Sequence, residues 1–279
     1  MSRPPAFTPA DEPLLRRAIA LAMRGRGAVE PNPMVGCVLA RAGQVIGEGF
    51  HAAFGAAHAE PQALADCAAS GATPAGATAY VTLEPCCHAD KKTPPCAPRL
   101  IEAQVARVVV GCLDPNPKVN GKGLAVLRAA GIEVVQAPLP LVDECRQLIA
   151  PFIALTAHRR PYVTLKWAQT ADGHVAGPRG QPVRITSPEA DRAVHALRAR
   201  CDAIAVGTNT VLHDDPLLTA RGVTQTRLLR RVILSNSLKV DVAARLVRSV
   251  ATDGPVIVYC SENSVKRHAG TVDALRSAG

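Results

Sequence analysis

The first half of this sequence alternates segments of helical and of strand-like hydrophobic spacing, and this alternation restricts the fold more than any other feature. Apolar residues recur at helical spacing over residues 12–24, and short apolar runs at 35–40 and 44–50 flank a hairpin-like turn. The pattern continues with helices at 59–70, 99–103 and 123–130 and strands at 77–83, 107–111 and 132–135. We therefore expect a sheet covered by helices, of the α/β or α+β class.

The length of the chain and a change in its sequence pattern near residue 150 indicate two domains. At 279 residues the chain exceeds the usual size of a single domain. A helical stretch at 142–155 leads into a basic segment at 158–161, after which strand and helix patterns resume. We predict domains at 1–150 and 151–279, the second with a helix at 188–200 and strands at 162–167, 203–207, 231–234 and 255–259.

Hydropathy and cysteine usage exclude several classes of protein. No apolar run is long enough to span a membrane, and the N-terminus does not resemble a secretory signal. The nine cysteines are scattered, so we expect free thiols or metal ligands and a location in the reducing cytoplasm. Those that stand singly among apolar neighbours are expected in the core: Cys37, Cys67, Cys112, Cys145, Cys201 and Cys260.

The charge of the chain favours an anionic partner. Its net charge is +9 at neutral pH, with the basic residues spread along the sequence rather than massed in one run. Aromatic residues, which stack on unpaired bases, make up only 3% of the sequence. We therefore expect a small phosphorylated substrate rather than nucleic acid or a membrane, and a homo-oligomer.

Three residues at characteristic positions form a candidate zinc site. His58 precedes a predicted helix, Cys86 follows a predicted strand, and Cys96 ends the run TPPC. One imidazole and two thiolates suit Zn²⁺ and leave its fourth position for water, as in catalytic zinc sites. The thiolates neutralise the ion, and the metal lowers the pKa of its water to about 7.

Glu60 is the candidate catalytic acid–base. It lies so close to His58 in the sequence that it is an awkward second ligand, but it can reach a water on the metal. A carboxylate there can take a proton from water and return it to a substrate nitrogen. Pro61 fits the first turn of a helix, where its missing N–H has no effect. The order H-x-E, P-C and a further cysteine is the signature of zinc deaminases.

Alternatives remain open for the ligands and for the function. Cys87 and His88 compete with Cys86 because they adjoin it. A nucleic-acid or nucleoside deaminase fits the basic charge, although the long segment between Cys86 and Cys96 argues against a nucleic-acid substrate. A third hypothesis is a non-catalytic protein that keeps zinc for structure. The retained Glu60 argues against it, as does the incomplete ligand set, since structural zinc usually has four protein ligands.

Further motifs carry a resemblance to a known family. In the first half they are 31–38 (PNPMVGCV), 47–51 (GEGFH), 58–60 (HAE), 80–86 (YVTLEPC), 93–96 (TPPC) and 114–117 (DPNP). In the second half they are 165–166 (LK), 172–173 (DG), 185–186 (IT), 197–199 (LRA) and 210–216 (TVLHDDP). Nearly the whole chain after residue 10 thus resembles the bifunctional riboflavin-biosynthesis deaminase–reductase. Cytidine and tRNA adenosine deaminases differ, because they usually carry P-C-x-x-C.

The resemblance implies a cytidine-deaminase-like α/β/α domain followed by an α/β domain similar to dihydrofolate reductase. It implies zinc-dependent deamination of 2,5-diamino-6-ribosylamino-4(3H)-pyrimidinone 5′-phosphate, then reduction of the ribosyl group to ribityl with NADPH. It also implies a pyrimidine and phosphate pocket in the first domain, lined by Asn32, His51, Lys92, Asp114 and Asn116. Lys92, in the segment between the proposed zinc ligands Cys86 and Cys96, is suited to hold a substrate phosphate.

The resemblance also assigns residues of the second domain. It implies NADPH contacts at Ala168, Thr210 and Asp214, and an active-site lysine and substrate contacts at Lys166, Arg198, Leu218 and Arg221. The two arginines are suited to clamp a phosphate.

Three departures from the family affect these expectations. The loop before Cys96 is one residue longer than in the family, with a doubled lysine at 91–92. Pro182 and Arg184 stand where the family has other residues before Ile185, so we assign no cofactor role to Pro182 or Arg184. The sequence stops at Gly279, ahead of the family's glycine-rich cofactor segment. We therefore expect a C-terminally truncated reductase domain with weak or no reductase activity.

Overall fold

The structure, a computed structural model, describes residues 6–88, 94–181, 183–225 and 227–279. These residues fall into two compact units, of which the first extends to Val163 and the second runs from Thr164 to Gly279. No helix within these ranges is both long and apolar enough to cross a membrane.

The first unit alternates helices and strands, as the hydrophobic pattern predicts. Its strands are β1 (Gly36–Arg41), β2 (Gln44–Phe50), β3 (Thr78–Leu83), β4 (Arg107–Cys112) and β5 (Glu133–Gln136). Its helices are α1 (Asp11–Ala22), α2 (Ala59–Ala69), α3 (Cys96–Glu102), α4 (Lys122–Ala129), α5 (Leu139–Leu148) and α6 (Ala150–His158). The predicted hairpin is confirmed, since β1 and β2 join through Ala42 (φ 49°) and Gly43 (φ 79°), a backbone conformation typical of tight hairpin turns.

The five strands form one mixed sheet between two layers of helices. Their order is β2-β1-β3-β4-β5, with β1 antiparallel to both neighbours and β3, β4 and β5 parallel. Successive strand residues face opposite sides, so Cys37 and Leu39 pack with helices α2, α3 and α4, whereas Val38 and Ala40 pack with α1 and α5. The first unit is therefore an α/β/α sandwich, as expected.

The second unit is a smaller parallel sheet with helices. Strands β6 (Ala203–Gly207), β7 (Arg230–Leu234) and β8 (Val256–Tyr259) pair in that order. The helices are α7 (Pro188–Arg198), α8 (Thr208–Asp214), α9 (Arg245–Arg248), α10 (Val250–Asp253), α11 (Glu262–Arg267) and α12 (Ala269–Ser277). Its core is built from Val211, Leu218, Ile233, Val240, Leu246 and Val247.

Residues 162–167 form no strand, contrary to the prediction. Tyr162, Leu165 and Trp167 are each more than half exposed, and no described residue pairs with this segment. A strand needs a neighbour to satisfy its backbone N–H and C=O groups. An apolar run of the right length cannot show whether that neighbour exists, which is why the prediction failed.

The predicted helix at 142–155 is two helices, α5 and α6. They break at Ile149 (φ −103°, ψ 14°), because Pro151 has no N–H to donate to the preceding turn. Phe152 and Ile153 of α6 pack against the apolar cluster that contains Met34 and Leu148. The compact units accordingly divide after Val163, beyond the boundary predicted at residue 150.

The expected core cysteines fall into two groups. Cys37, Cys67, Cys112 and Cys145 of the first unit are buried, as predicted. Cys201 and Cys260 are only half-buried, because each follows the end of a helix or strand near the surface of the second unit.

A buried carboxylate ties the start of α1 to the sheet. Asp11 is 2% exposed and accepts hydrogen bonds from Tyr80 Oη (2.9 Å), Arg107 Nη1 (2.6 Å) and the Thr8 backbone N–H (2.8 Å). Burial by itself would raise the pKa of Asp11, but the hydrogen bonds from Arg107, Thr8 and Tyr80 outweigh it and lower the pKa to about 2. The folded state therefore favours the charged form of this side chain.

Replacing Asp11 with asparagine is expected to lower the free energy of unfolding by about 2 kcal/mol at neutral pH. Because the folded pKa lies below the unfolded value of about 3.9, the contribution is complete above pH 4 or so and disappears as the pH falls towards about 2. Urea unfolding of both proteins between neutral and acid pH measures this difference. Glu12→Gln is the control, because the exposed Glu12–Arg16 pair should contribute less than about 1 kcal/mol. A constant gap between D11N and the wild type at all pH values would contradict the assignment.

Candidate active site

Three separate elements bring one imidazole and two thiols together. His58 immediately precedes α2, Cys86 follows β3, and Cys96 is the first residue of α3. His58 Nδ1 lies 3.7 Å from Cys86 Sγ and 3.4 Å from Cys96 Sγ, and all three donor atoms lie within 4.8 Å of one another. The structure thus assembles the three residues that the sequence proposes as metal ligands.

The spacing of these donor atoms fits zinc. Tetrahedral Zn²⁺ with bonds of about 2.0 Å to nitrogen and 2.3 Å to sulfur separates the two donors by about 3.5 Å. Cys86 Sγ also accepts a hydrogen bond from the Cys96 backbone N–H (3.4 Å), which favours the thiolate form that binds metal. Among the described residues this is the one group of His, Cys, Asp or Glu side chains arranged to hold a metal ion.

The competing ligands Cys87 and His88 lie outside that group of donor atoms. Burial raises the pKa of the Cys87 thiol, and the nearby charges of Glu84 and Cys86 add to the effect, so the neutral thiol is favoured. His88 lines the cavity beside the site, and its Nδ1 is buried without a hydrogen-bond partner in the described structure.

Two glycines let α2 lie directly against the sheet. A Cβ at Gly49 would come within 2.4 Å of the Ala59 carbonyl oxygen, and one at Gly47 within 2.4 Å of the Ala63 carbonyl oxygen. Such distances are well inside van der Waals contact, so only glycine permits this approach. Strand β2 thereby fixes the start of α2, where His58 and Glu60 lie.

Glu60 occupies the first turn of α2 and is 3% exposed. Burial raises the pKa of its carboxyl group, and the charge of Cys86 raises it further. His58 and a hydrogen bond with Cys96 act in the opposite direction. The carboxyl group therefore lies beside the proposed ligands in a buried environment that raises its pKa, as is typical of catalytic acid–base groups.

A cavity of about 360 Å³ opens onto this cluster. Its lining includes His58, Glu60 and Cys86 together with four of the pocket residues proposed from the sequence: Asn32, His51, Asp114 and Asn116. The fifth, Lys92, lies outside the described residues. Phe54 and Phe152 also line the cavity. Sequence reasoning missed them because single aromatic residues outside any motif give no signal.

Hydrogen bonds fix the ring of His51. The ring is buried, and its Nδ1 lies 3.0 Å from the Ala57 carbonyl oxygen, which can only accept, so Nδ1 carries the proton. Nε2 then accepts from the Asn32 side-chain amide at 3.1 Å. Burial lowers the pKa of His51, and the neutral form is favoured. His51 thereby orients the Asn32 amide at the cavity wall.

The proposed substrate arginines of the second unit lie together. Arg198 Nη1 donates to the Thr219 carbonyl oxygen (3.3 Å), and Arg221 Nη1 donates to Thr219 Oγ1 (3.1 Å). The Arg221 backbone N–H donates to His195 Nδ1 (3.1 Å). Burial and the nearby charge of Arg221 lower the pKa of Arg198. His195 was missed by sequence reasoning, although its place one helical turn before Arg198 offered a signal.

The remaining proposed residues of the second unit are more dispersed. Thr210 and Asp214 lie on α8, and Leu218 is buried in the core with a positive φ of 55°. Lys166 is exposed in the segment 162–167 that forms no strand, and Ala168, which follows that segment, is half-buried. Arg184 binds Asp191 (2.8 Å), and Pro182 lies outside the described residues.

Comparison with protein families assigns both halves of the chain. The family described as the cytidine and deoxycytidylate deaminase zinc-binding region matches residues 8–112. The RibD C-terminal domain matches residues 161–274.

Individual proteins match across both units. Riboflavin biosynthesis protein RibD of Aquifex aeolicus is 41% identical over 92% of this chain and 70% of its own length. RibD of Escherichia coli is 46% identical over 76% of this chain and 56% of its own length. A Thermotoga maritima diaminohydroxyphosphoribosylaminopyrimidine deaminase/5-amino-6-(5-phosphoribosylamino)uracil reductase is 40% identical, with a TM-score of 0.80 over 91% of this chain and 70% of that structure. Acinetobacter baumannii RibD has a TM-score of 0.76 at 38% identity, over 95% of this chain and 72% of that structure. The chain therefore belongs to the RibD family of riboflavin biosynthesis proteins.

Proposed function

We propose that the first unit is a zinc-dependent deaminase of 2,5-diamino-6-ribosylamino-4(3H)-pyrimidinone 5′-phosphate. One observation carries the proposal: the buried carboxyl group of Glu60 lines the same cavity as His58 and Cys86, two members of a His–Cys–Cys set whose spacing fits zinc. An open zinc site with an adjacent non-ligand glutamate is the arrangement that deaminases of cyclic amidines use. The name of the Thermotoga maritima relative supports the same substrate class.

The residues of the chain perform distinct parts of the proposed reaction. His58, Cys86 and Cys96 would hold Zn²⁺, which supplies Lewis acidity that makes water a competent nucleophile near neutral pH. Glu60 takes a proton from the attacking water as a C–O bond forms at the amidine carbon. It then passes that proton to the leaving amino group, the C–N bond breaks, and ammonia departs. The buried position of Glu60 keeps bulk water from competing for this proton.

The cavity walls suit a polar pyrimidine ring. Asn32, Asp114 and Asn116 offer amide and carboxylate groups to ring and exocyclic nitrogens, and the exposed ring of Phe54 offers an apolar face. The net charge of +9 favours a substrate that carries phosphate. We assign the phosphate contact to Lys92, because it lies in the sequence between the proposed zinc ligands Cys86 and Cys96.

The second unit is proposed to contribute the NADPH-dependent reduction of the deaminated product. NADPH, when bound, supplies the hydride. A shallow, open depression lined by Leu234, Ser235 and Tyr259 lies at the carboxyl ends of β7 and β8, where open α/β sheets bind ligands. Arg198 and Arg221 are proposed to hold the substrate phosphate, and Thr210, Asp214 and Ala168 to contact NADPH.

A panel of substrates tests the deaminase proposal. Purified zinc-loaded protein is incubated separately with the diaminopyrimidine phosphate, deoxycytidine monophosphate and tRNA, and released ammonia is measured. We expect turnover of the diaminopyrimidine phosphate alone. Turnover of either other substrate at a higher kcat/KM would favour the alternative nucleoside or nucleic-acid deaminase, and a zinc-loaded but inert protein would favour the structural role.

The reductase proposal and the predicted homo-oligomer need separate measurements. Oxidation of NADPH on addition of the deaminated product tests the reductase. Mutation of Arg198 to alanine should raise the KM for that product if Arg198 holds its phosphate. Light scattering of the purified protein tests the oligomeric state.

A further inference from the structure

A buried carboxylate two residues before Cys86 has none of the proposed catalytic roles. Glu84 stands between the end of β3 and the Pro85-Cys86 turn, and it is only 3% exposed. A carboxylate in such a position is unfavourable unless several donors surround it. The structure supplies those donors from one segment of the chain.

Glu84 accepts backbone hydrogen bonds from both ends of the loop that follows β4. Its Oε2 accepts from the N–H groups of Asp114 (3.2 Å) and Gly121 (2.8 Å). Its Oε1 accepts from the N–H groups of Gly123 (2.9 Å) and Leu124 (3.3 Å), at the start of α4. One side chain thus closes residues 114–121 into a loop and anchors that loop to β3.

The loop closed by Glu84 presents several groups to the active site. Asp114 and Asn116 line the cavity, and their positions are linked because Asp114 Oδ1 accepts the Asn116 backbone N–H (2.8 Å). Val119 is fully buried and packs in one apolar cluster with Cys86 and Cys96. The same loop therefore forms part of the substrate wall and covers the two cysteines.

The junction between Glu84 and α4 leaves no room for adjustment. A Cβ at Gly123 would come within 2.0 Å of the Pro85 carbonyl oxygen and 3.1 Å of Glu84 Oε1. The start of α4 is therefore packed against the same turn that carries Cys86. Because the start of α4 has no room to shift, loss of the Glu84 hydrogen bonds should displace the 114–121 loop rather than α4.

We propose that Glu84 is a positioning residue that holds the 114–121 loop so that Asp114 and Asn116 face the substrate. The inference rests on the proposed deaminase function of the same cavity. Asp114 and Asn116, on the loop that Glu84 holds, act on binding, whereas His58 and Glu60 lie at the start of α2 and act on the chemical step. Loss of the Glu84 bonds should therefore weaken substrate binding more than it slows catalysis.

The Glu84→Gln variant tests this division. Glutamine keeps the shape of the side chain, but its NH₂ group places a donor against two backbone N–H donors, so one pair of bonds is lost. We expect the KM for the diaminopyrimidine phosphate to rise at least about tenfold, while kcat stays within about threefold of wild type. Zinc content should be unchanged. Asp66→Asn is the matched control, because Asp66 also accepts a backbone N–H (from Glu48, 2.8 Å) but lies away from the cavity.

The outcomes separate a positioning role from a merely structural one. A general loss of folded protein would lower the apparent kcat at constant KM, and that result would overturn the proposal, as would kinetics identical to wild type. If E84Q does not accumulate as folded protein, the same comparison is made with Glu84→Asp, which keeps the charge but shortens the reach. An inactive wild-type protein would instead reject the proposed function itself.

Discussion

Replacing Glu60 with glutamine is expected to lower kcat for deamination by at least about 10²-fold while zinc remains bound. Glutamine preserves the size of the side chain but cannot accept a proton from water. His58, Cys86 and Cys96 are untouched, so the metal site keeps its full set of proposed ligands. Steady-state kinetics with metal analysis of the same sample measures both quantities.

The control for this experiment is Glu102→Gln, which removes the same charge from an exposed position at the end of α3. Its rate should equal that of wild type. Near-normal turnover by zinc-loaded E60Q would remove Glu60 from the mechanism and leave another group to transfer the proton. Loss of zinc from E60Q would show that the glutamate supports the metal site instead.

Replacing single cysteines with serine is expected to distinguish the zinc ligands Cys86 and Cys96 from the neighbouring Cys87. Cys86→Ser and Cys96→Ser should each lose nearly all bound zinc, whereas Cys87→Ser should keep it. A serine hydroxyl stays protonated near neutral pH and is a poor zinc ligand, in contrast to a thiolate. Activity should fall with zinc content in the first two variants and remain near wild type in the third.

The Cys87 variant serves as the matched control because it changes the same atoms at the adjacent position. Metal content after dialysis, normalised to folded protein, is the deciding measurement. An empty site in C87S together with a filled site in C86S would reverse the ligand assignment. Zinc retained by both C86S and C96S would exclude the three-ligand site altogether.

The proposed ligands could be found from sequence because the chemistry of zinc demands particular residue types at particular places. His58 at a helix start, Cys86 at a strand end and Cys96 in TPPC form a combination that rarely arises by chance. The first sheet was predictable for a similar reason, since its strands and helices differ clearly in hydrophobic period. The Ala42-Gly43 turn also carried its own local signal.

Features that depend on distant partners were not predictable. Glu84 belongs to a motif, but nothing in its neighbours shows that it binds the N–H groups of Gly121 and Gly123. Phe152 reaches the cavity from α6, far from every motif. The segment at 162–167 has the composition of a strand, yet strand formation requires a pairing partner that composition does not specify.

Isotope labelling of the product tests the central claim, that zinc-loaded protein deaminates the diaminopyrimidine phosphate by hydrolysis. The reaction is run in oxygen-18 water, and the product mass is measured together with released ammonia. We predict that each product molecule gains one labelled oxygen in place of an amino group and that ammonia is released in equal amount. Zinc-loaded protein that leaves the substrate mass unchanged and releases no ammonia would contradict this claim.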